Sequence, residues 1–136
     1  MLKTTILIVE DSKFLRVASG RVLAKAGYNI INAGDGEEAL RSAYENLPDL
    51  ILLDMLLPKL GGQQVLHALK SNPATAHIPV IVLSSLSQLN EAKLKEEGAA
   101  AYFEKSRLDL DLKWQALVIA VETVLNRARN AQPAHG

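Results

Sequence analysis

The 136-residue chain has the length of one ordinary domain, large enough to bury a core and too short for a second independent module. Its 15 Lys and Arg residues balance 15 Asp and Glu residues, so charge favours no contact with nucleic acid. The absence of cysteine excludes disulfides and thiolate metal sites, and the apolar run near the N-terminus is too short for a signal peptide or membrane span. We therefore expect a cytoplasmic protein that binds neither nucleic acid nor membrane.

Short apolar runs alternate with segments of helical periodicity along the whole chain. In chain order these patterns predict strand 6–9, helix 12–26, strand 30–31, a helix between 35 and 48, strand 50–53, helix 62–70, strand 80–83, helix 87–97, strand 101–103 and helix 112–129. Several predicted strands are apolar without alternation, which is typical of parallel strands covered by helices on both faces. The alternation predicts a doubly wound α/β fold.

Residue types at the predicted helix ends support these boundaries. Ser12 and Asp35 are good N-cap residues, whereas Gly27 and Pro48 are typical of the positions that follow a helix. The last helix has the clearest apolar stripe, formed by Leu117, Val121, Val124 and Leu125. We expect one domain over residues 1–129, followed by a polar tail over 130–136.

Reactive side chains follow four of the five predicted strands. Glu10 and Asp11 end the first, Asp54 ends the third, Ser84 ends the fourth and Lys105 closely follows the fifth. Ligands of open α/β sheets bind beyond the carboxyl ends of the strands, so these side chains are expected to converge there.

Three converging carboxylates predict a bound cation. Two carboxylates about 4 Å apart repel by roughly 4 kcal/mol at an effective dielectric near 20. A site of oxygen ligands without His or Cys favours Mg²⁺. We therefore predict a Mg²⁺ site whose metal ligands include Glu10, Asp11 and Asp54, and we predict that the carboxylate of Asp54 attacks phosphorus to form an acyl phosphate. Ser84 and Lys105 would then contact the phosphoryl oxygens.

These residues lie within stretches that resemble the receiver domain of two-component response regulators, over about residues 4–128. The matching stretches are ILIVEDS at 6–12, DLILLDMLLP at 49–58, GG at 61–62, HIPVIVLSS at 77–85 and AAAYFEKS at 99–106. The resemblance implies a flavodoxin-like, five-stranded parallel sheet in the order 2-1-3-4-5. It also implies a signalling switch, and not a conventional enzyme, that a histidine kinase or histidine phosphotransfer protein phosphorylates on Asp54.

The resemblance assigns further roles to individual residues. It implies that Glu10 and Asp11 are the acidic pair of the magnesium site, that the backbone carbonyl of Leu56 is a metal ligand, and that Ser84 and Tyr102 form the switch pair. Three positions depart from the family pattern. Ser106 follows Lys105 where proline is usual, Ser84 replaces the commoner threonine and keeps the hydroxyl, and Gly61 lies where the residue is often acidic.

Other interpretations of the sequence stay open. A phosphorylation-independent receiver-like module would keep the fold and bind partners without phosphate. A nucleotide-binding enzyme is suggested by Gly34, Gly36 and Ala39, but the acidic residues among them would repel a pyrophosphate. The chain ends soon after the last helix, so we expect output through a downstream target protein or a homodimer. The apolar face of the last helix offers a dimer contact, although packing in the core is the favoured use.

Overall fold

The computed structural model describes residues 3–84, 91–104 and 111–131, which form five strands and five helices in strict alternation. In chain order the elements are β1 Thr5–Val9, α1 Lys13–Lys25, β2 Asn29–Ala33, α2 Gly36–Asn46, β3 Leu50–Asp54, α3 Gly62–Ser71, β4 Val80–Ser84, α4 Glu91–Glu96, β5 Ala101–Glu104 and α5 Asp111–Ala131. Among the helices in these described ranges, none combines the length and hydropathy of a membrane-spanning segment.

The strands form one parallel sheet in the order β2-β1-β3-β4-β5, as the family resemblance predicted. β1, β3 and β4 are interior strands, and β3 and β4 are buried along their whole length. Burial on both faces explains why their sequences are apolar without alternation. The predicted doubly wound α/β fold is confirmed.

Two layers of apolar side chains cover the two faces of the sheet. One layer joins alternate strand residues to α2, α3 and α4 through Ala39, Val65 and Leu94, among others. The other joins the remaining strand residues to α1 and α5, with these helical members: Leu23, Leu117, Val121, Val124 and Leu125. The apolar stripe of α5 is therefore part of the core, as favoured from the sequence.

The predicted helix caps are present. The side chain of Ser12 accepts a hydrogen bond from the backbone N–H of Leu15 (3.4 Å), and Asp35 accepts one from Glu38 (2.8 Å). Gly27 follows the end of α1 with a φ of 105°, a left-handed value that glycine adopts at little cost. These local interactions explain why the beginnings of α1 and α2 were predictable.

Some boundaries differ from the prediction. α5 includes Asn130 and Ala131, so it runs two residues into the segment predicted as a polar tail. β2 spans five residues, where the apolar pattern predicted two. The described part of α4 begins at Glu91, and its predicted beginning at residue 87 lies outside the described residues.

Candidate functional site

The carboxyl ends of β1 and β3 bring the predicted acids together. β1 pairs directly with β3, and Val9 lies opposite Leu53 in that pairing. Glu10 and Asp54 follow at the same level of the sheet, and Asp11 begins the turn into α1. The convergence that we predicted from the sequence is therefore observed for these three acids.

Glu10, Asp11 and Asp54 each offer a carboxylate oxygen, and these oxygens all lie within 4.8 Å of one another. The cluster is partly enclosed, because Glu10 and Asp54 are only 2% and 1% exposed, while Asp11 is open to solvent. Glu10 and Asp54 form the buried side of the cluster, and Asp11 forms the side that is open to solvent.

Backbone N–H groups orient the two buried carboxylates. The N–H of Leu56 donates to Oδ1 of Asp54 (3.1 Å), and the N–H of Ser12 donates to Oε2 of Glu10 (3.1 Å). Each bond joins an acid to the residue two positions later, so the turn that follows each strand sets the direction of its carboxylate. The acids are thus held by the backbone near the ends of rigid strands.

Electrostatics favours a cation in this cluster. At a separation of about 4.8 Å two carboxylates repel by roughly 3 to 4 kcal/mol at an effective dielectric near 20. The donor set consists of carboxylate oxygens alone, which matches a hard cation of the Mg²⁺ or Ca²⁺ type. The chemistry of these donors therefore fits the metal that the sequence predicted.

One glycine brings the backbone close to the site in a way that the sequence did not reveal. A Cβ added at Gly62 would lie 2.4 Å from the carbonyl oxygen of Asp54. This distance is far below van der Waals contact, so only glycine fits. The double glycine at 61–62 was noted in the sequence, but the contact depends on how the loop after β3 folds.

Ser84 and Tyr102 lie on the neighbouring strands. Ser84 is buried at the end of β4, one residue beyond the Leu83 that pairs with Asp54. Tyr102 belongs to β5 and lies opposite Val82 of β4. It is partly buried and packs against the apolar layer that includes α2, α3 and α4. The predicted role of Lys105 concerns a residue outside those that the structure describes.

Comparison with known proteins is consistent with this geometry. A family model of the response regulator receiver domain matches residues 6–113, which is most of the chain. The chain belongs to this family. It is therefore a receiver domain of the two-component signalling class, as the resemblance of the strand-end motifs predicted.

The chain is similar to parts of proteins of different size. It is 40% identical over 113 residues to a gliding motility regulatory protein of Myxococcus xanthus, and 43% identical over 104 residues to a histidine kinase of Formosa agariphila. These matches cover 82% and 76% of the chain but only 14% and 8% of the two proteins. The polar-differentiation response regulator DivK of Brucella anthropi is 34% identical, over 74% of the chain and 83% of that protein.

Solved structures show the same fold. The crystal structure of a response regulator receiver domain protein from Clostridium thermocellum superposes with a TM-score of 0.82 at 29% identity, over 95% of this chain and 99% of that one. The receiver fold accounts for nearly the whole chain.

Proposed function

We propose that this receiver is a phospho-acceptor switch of a two-component phosphorelay, phosphorylated on Asp54 in a Mg²⁺-dependent reaction. The observation that carries the proposal is the cluster of Glu10, Asp11 and Asp54, in which one acid ends the central strand β3 and the other two follow β1. Membership of the receiver family supports the same conclusion.

Asp54 is the proposed nucleophile. A carboxylate oxygen of Asp54 forms a bond to the phosphorus of a phosphohistidine, the P–N bond breaks, and the donor imidazole takes up a proton. The hydrogen bond from Leu56 to Oδ1 orients the carboxylate for this attack. Because Asp54 is buried at the end of a rigid strand, the orientation costs little entropy at the moment of transfer.

Glu10, Asp11 and Asp54 are the proposed metal ligands, together with the backbone carbonyl of Leu56. The fixed Glu10 carboxylate and the exposed Asp11 carboxylate would hold Mg²⁺ beside Asp54. When bound, Mg²⁺ neutralises the negative charge that gathers between the attacking carboxylate and the incoming phosphoryl group. The role of the Leu56 carbonyl is proposed from the family resemblance, and the hydrogen bond from the N–H of Leu56 to Asp54 places this residue beside the cluster.

Ser84 and Tyr102 are the proposed switch. The Ser84 hydroxyl is expected to donate a hydrogen bond to a phosphoryl oxygen, and Lys105 is expected to form an ion pair with another. Movement of Ser84 toward the phosphate would let the ring of Tyr102 turn further inward, changing the surface near β5 and α5. The partial burial of Tyr102 against an apolar layer is compatible with such a two-position ring.

The proposed partners are a sensor histidine kinase or histidine phosphotransfer protein as donor and a downstream target protein as reader, in the cytoplasm. Family membership supports partners of these classes. A homodimer through α5 would have to use the outer side of that helix, where Ile119 is 63% exposed, because the apolar stripe is buried in the core. The expected role is signalling, without conventional enzymatic turnover.

Intact-protein mass spectrometry tests the proposal. Incubation with acetyl phosphate and Mg²⁺ is expected to add one phosphoryl group, which chelation of Mg²⁺ prevents. The variant Asp54→Asn keeps the acceptor oxygen for Leu56 but loses the nucleophile, and is expected to show no added mass. Glu45→Gln changes an exposed acid of α2 by the same charge and is expected to be phosphorylated like the unmodified protein.

An unmodified mass with acetyl phosphate and phosphoramidate, in a protein that is folded and supplied with Mg²⁺, would contradict the proposal. That outcome would favour the alternative of a phosphorylation-independent interaction module. Phosphorylation that persists in Asp54→Asn would instead show that another residue is the acceptor.

A further inference from the structure

Arg16 extends from α1 back to the end of β1. Its Nη1 donates a hydrogen bond to the backbone carbonyl of Glu10 at 2.8 Å, in a partly buried setting. Arg16 lies in the second turn of the helix, six residues after the carbonyl that it contacts. The contact joins the helix to the turn that carries the acidic pair.

The carbonyl that Arg16 contacts belongs to the peptide that links Glu10 to Asp11. Because a peptide unit is planar, a restraint on its oxygen limits the orientations of the plane from which both residues project. Two further bonds hold the same turn: the Glu10 N–H donates to the carbonyl of Ala33 (3.1 Å), and Ser12 bonds the Glu10 side chain. The hydrogen bond from Arg16 restrains the carbonyl oxygen of this peptide.

The guanidinium of Arg16 also reaches the residue that follows β2. A Cβ added at Gly34 would lie 3.4 Å from Nη1 of Arg16, which is close to ordinary van der Waals contact. The Arg16 side chain therefore extends from α1 over the ends of β1 and β2. Arginine suits this position because its long side chain ends in a planar group with several N–H donors. Lysine has a similar length but only a single ammonium group.

The Arg16 hydrogen bond is made to the backbone oxygen of Glu10, so it acts on the peptide from which the acidic pair projects. The side-chain oxygens of that pair lie in the cluster in which carboxylate oxygens of all three acids come within 4.8 Å of one another. A donor bound to the backbone at this point can orient the two carboxylates toward a cation.

We propose that Arg16 is a positioning residue for the metal site, which presets the Glu10–Asp11 peptide so that both carboxylates face a cation together with Asp54. The inference rests on the proposed function, since it concerns the same site. Groups that orient metal ligands typically contribute a factor of 10 to 100 in metal affinity.

Calorimetric titration with Mg²⁺, at a temperature well below unfolding, compares Arg16→Met, Arg16→Lys and the control Arg21→Met. Arg21 is an exposed residue of the same helix, so its variant removes the same charge away from the contact. Arg16→Met is expected to bind Mg²⁺ about tenfold more weakly, with partial recovery in Arg16→Lys and no change in Arg21→Met. Loss of a positive charge alone would tighten cation binding, so weakening identifies positioning.

Amide hydrogen exchange of the metal-free protein provides a second measurement. Faster exchange at residues 10–12 in Arg16→Met, with melting temperatures matched, supports the proposal. Mg²⁺ affinity within about twofold of the unmodified protein, or tighter, together with unchanged exchange overturns it. Failure of the unmodified protein to bind Mg²⁺ is a different result, which overturns the proposed function and this inference together.

Discussion

Two adjacent glycines at the start of α3 differ sharply in their surroundings. A Cβ at Gly62 would lie 2.4 Å from the carbonyl oxygen of Asp54 and 2.6 Å from Cα of Met55, whereas one at Gly61 would meet only Gln64 at 3.7 Å. Neither glycine has a positive φ, so the difference is one of space and not of backbone strain. The two positions form a matched pair for testing how the loop after β3 is held.

Gly62→Ala is expected to push the loop away from Asp54, lowering both the free energy of unfolding and the affinity for Mg²⁺. Overpacking of this kind typically costs about 1 to 3 kcal/mol. Gly61→Ala is expected to leave Mg²⁺ affinity unchanged. Urea denaturation and calorimetry measure the two quantities. If the two variants had the same free energy of unfolding and the same Mg²⁺ affinity, the loop would be able to shift without disturbing Asp54.

Asp35 provides a test of pH dependence at a single side chain. The hydrogen bond from the backbone N–H of Glu38, and next the charge of Lys59 3.5 Å away, lower the pKa of Asp35. A lowered pKa means that the unfolded chain binds the proton more tightly than the folded protein. Asp35 therefore stabilises the fold above the pKa of an unfolded aspartate, about 4, and this contribution is lost as the pH falls through the lower folded pKa.

The variants Asp35→Ala and Asp35→Asn separate the cap from the charge. At neutral pH Asp35→Ala is expected to lower the midpoint of urea denaturation more than Asp35→Asn, which keeps an acceptor oxygen for Glu38. The deficit of Asp35→Asn is expected to shrink as the pH is lowered from 6 toward 3. A deficit that does not change over this pH range would show that the charge of Asp35 contributes nothing to stability.

At the scale of one element, Gly20 in the middle of α1 is replaceable. A Cβ there would lie 3.7 Å from Ile30 and 3.8 Å from Ile8, which are ordinary contacts. Gly20→Ala is expected to stabilise the protein by roughly 0.5 to 1 kcal/mol, because alanine loses less backbone entropy in a helix. Gly27→Ala, at a φ of 105°, is expected to destabilise it. Thermal or urea denaturation measures both, and a destabilised Gly20→Ala would contradict this packing.

The elements themselves were largely predictable because their signals are local. Ser12 and Asp35 cap the helices that they were predicted to cap, and the interior strands are apolar throughout. β2 was predicted too short because it is an edge strand, paired only with β1, with polar and exposed Asn29 and Asn32 at positions that need no burial. The hydrophobic pattern therefore misses the outer residues of such a strand.

At the scale of the whole molecule, the alternation of strands and helices predicted the fold class but not which strands pair. The order β2-β1-β3-β4-β5 came from family resemblance, because strand pairing involves residues far apart in the chain. The acids were predictable as strand-end residues, since any parallel sheet collects them at one edge. The Gly62 and Arg16 contacts were not predictable, because each depends on the folded path of a loop or the reach of a side chain.

Three acids gathered at one edge of the sheet affect the stability of the whole domain. Each pair of these acids repels, and functional sites commonly lower the stability of a protein in this way. Replacing one acid is therefore expected to stabilise the metal-free protein. Asp54→Asn removes one charge and keeps the shape of the side chain. Glu45→Gln, on the exposed side of α2, is the control for a general loss of negative charge.

Without Mg²⁺, Asp54→Asn is expected to melt at a higher temperature than the unmodified protein and than Glu45→Gln. With Mg²⁺ at 100 times the dissociation constant, the unmodified protein is expected to gain about 2.7 kcal/mol and Asp54→Asn less, because a site with two acids binds the ion more weakly. Calorimetric melting with and without Mg²⁺ measures both changes. If Asp54→Asn gained as much from Mg²⁺ as the unmodified protein, the charge of Asp54 would not contribute to binding of the ion, which contradicts its place in the cation site.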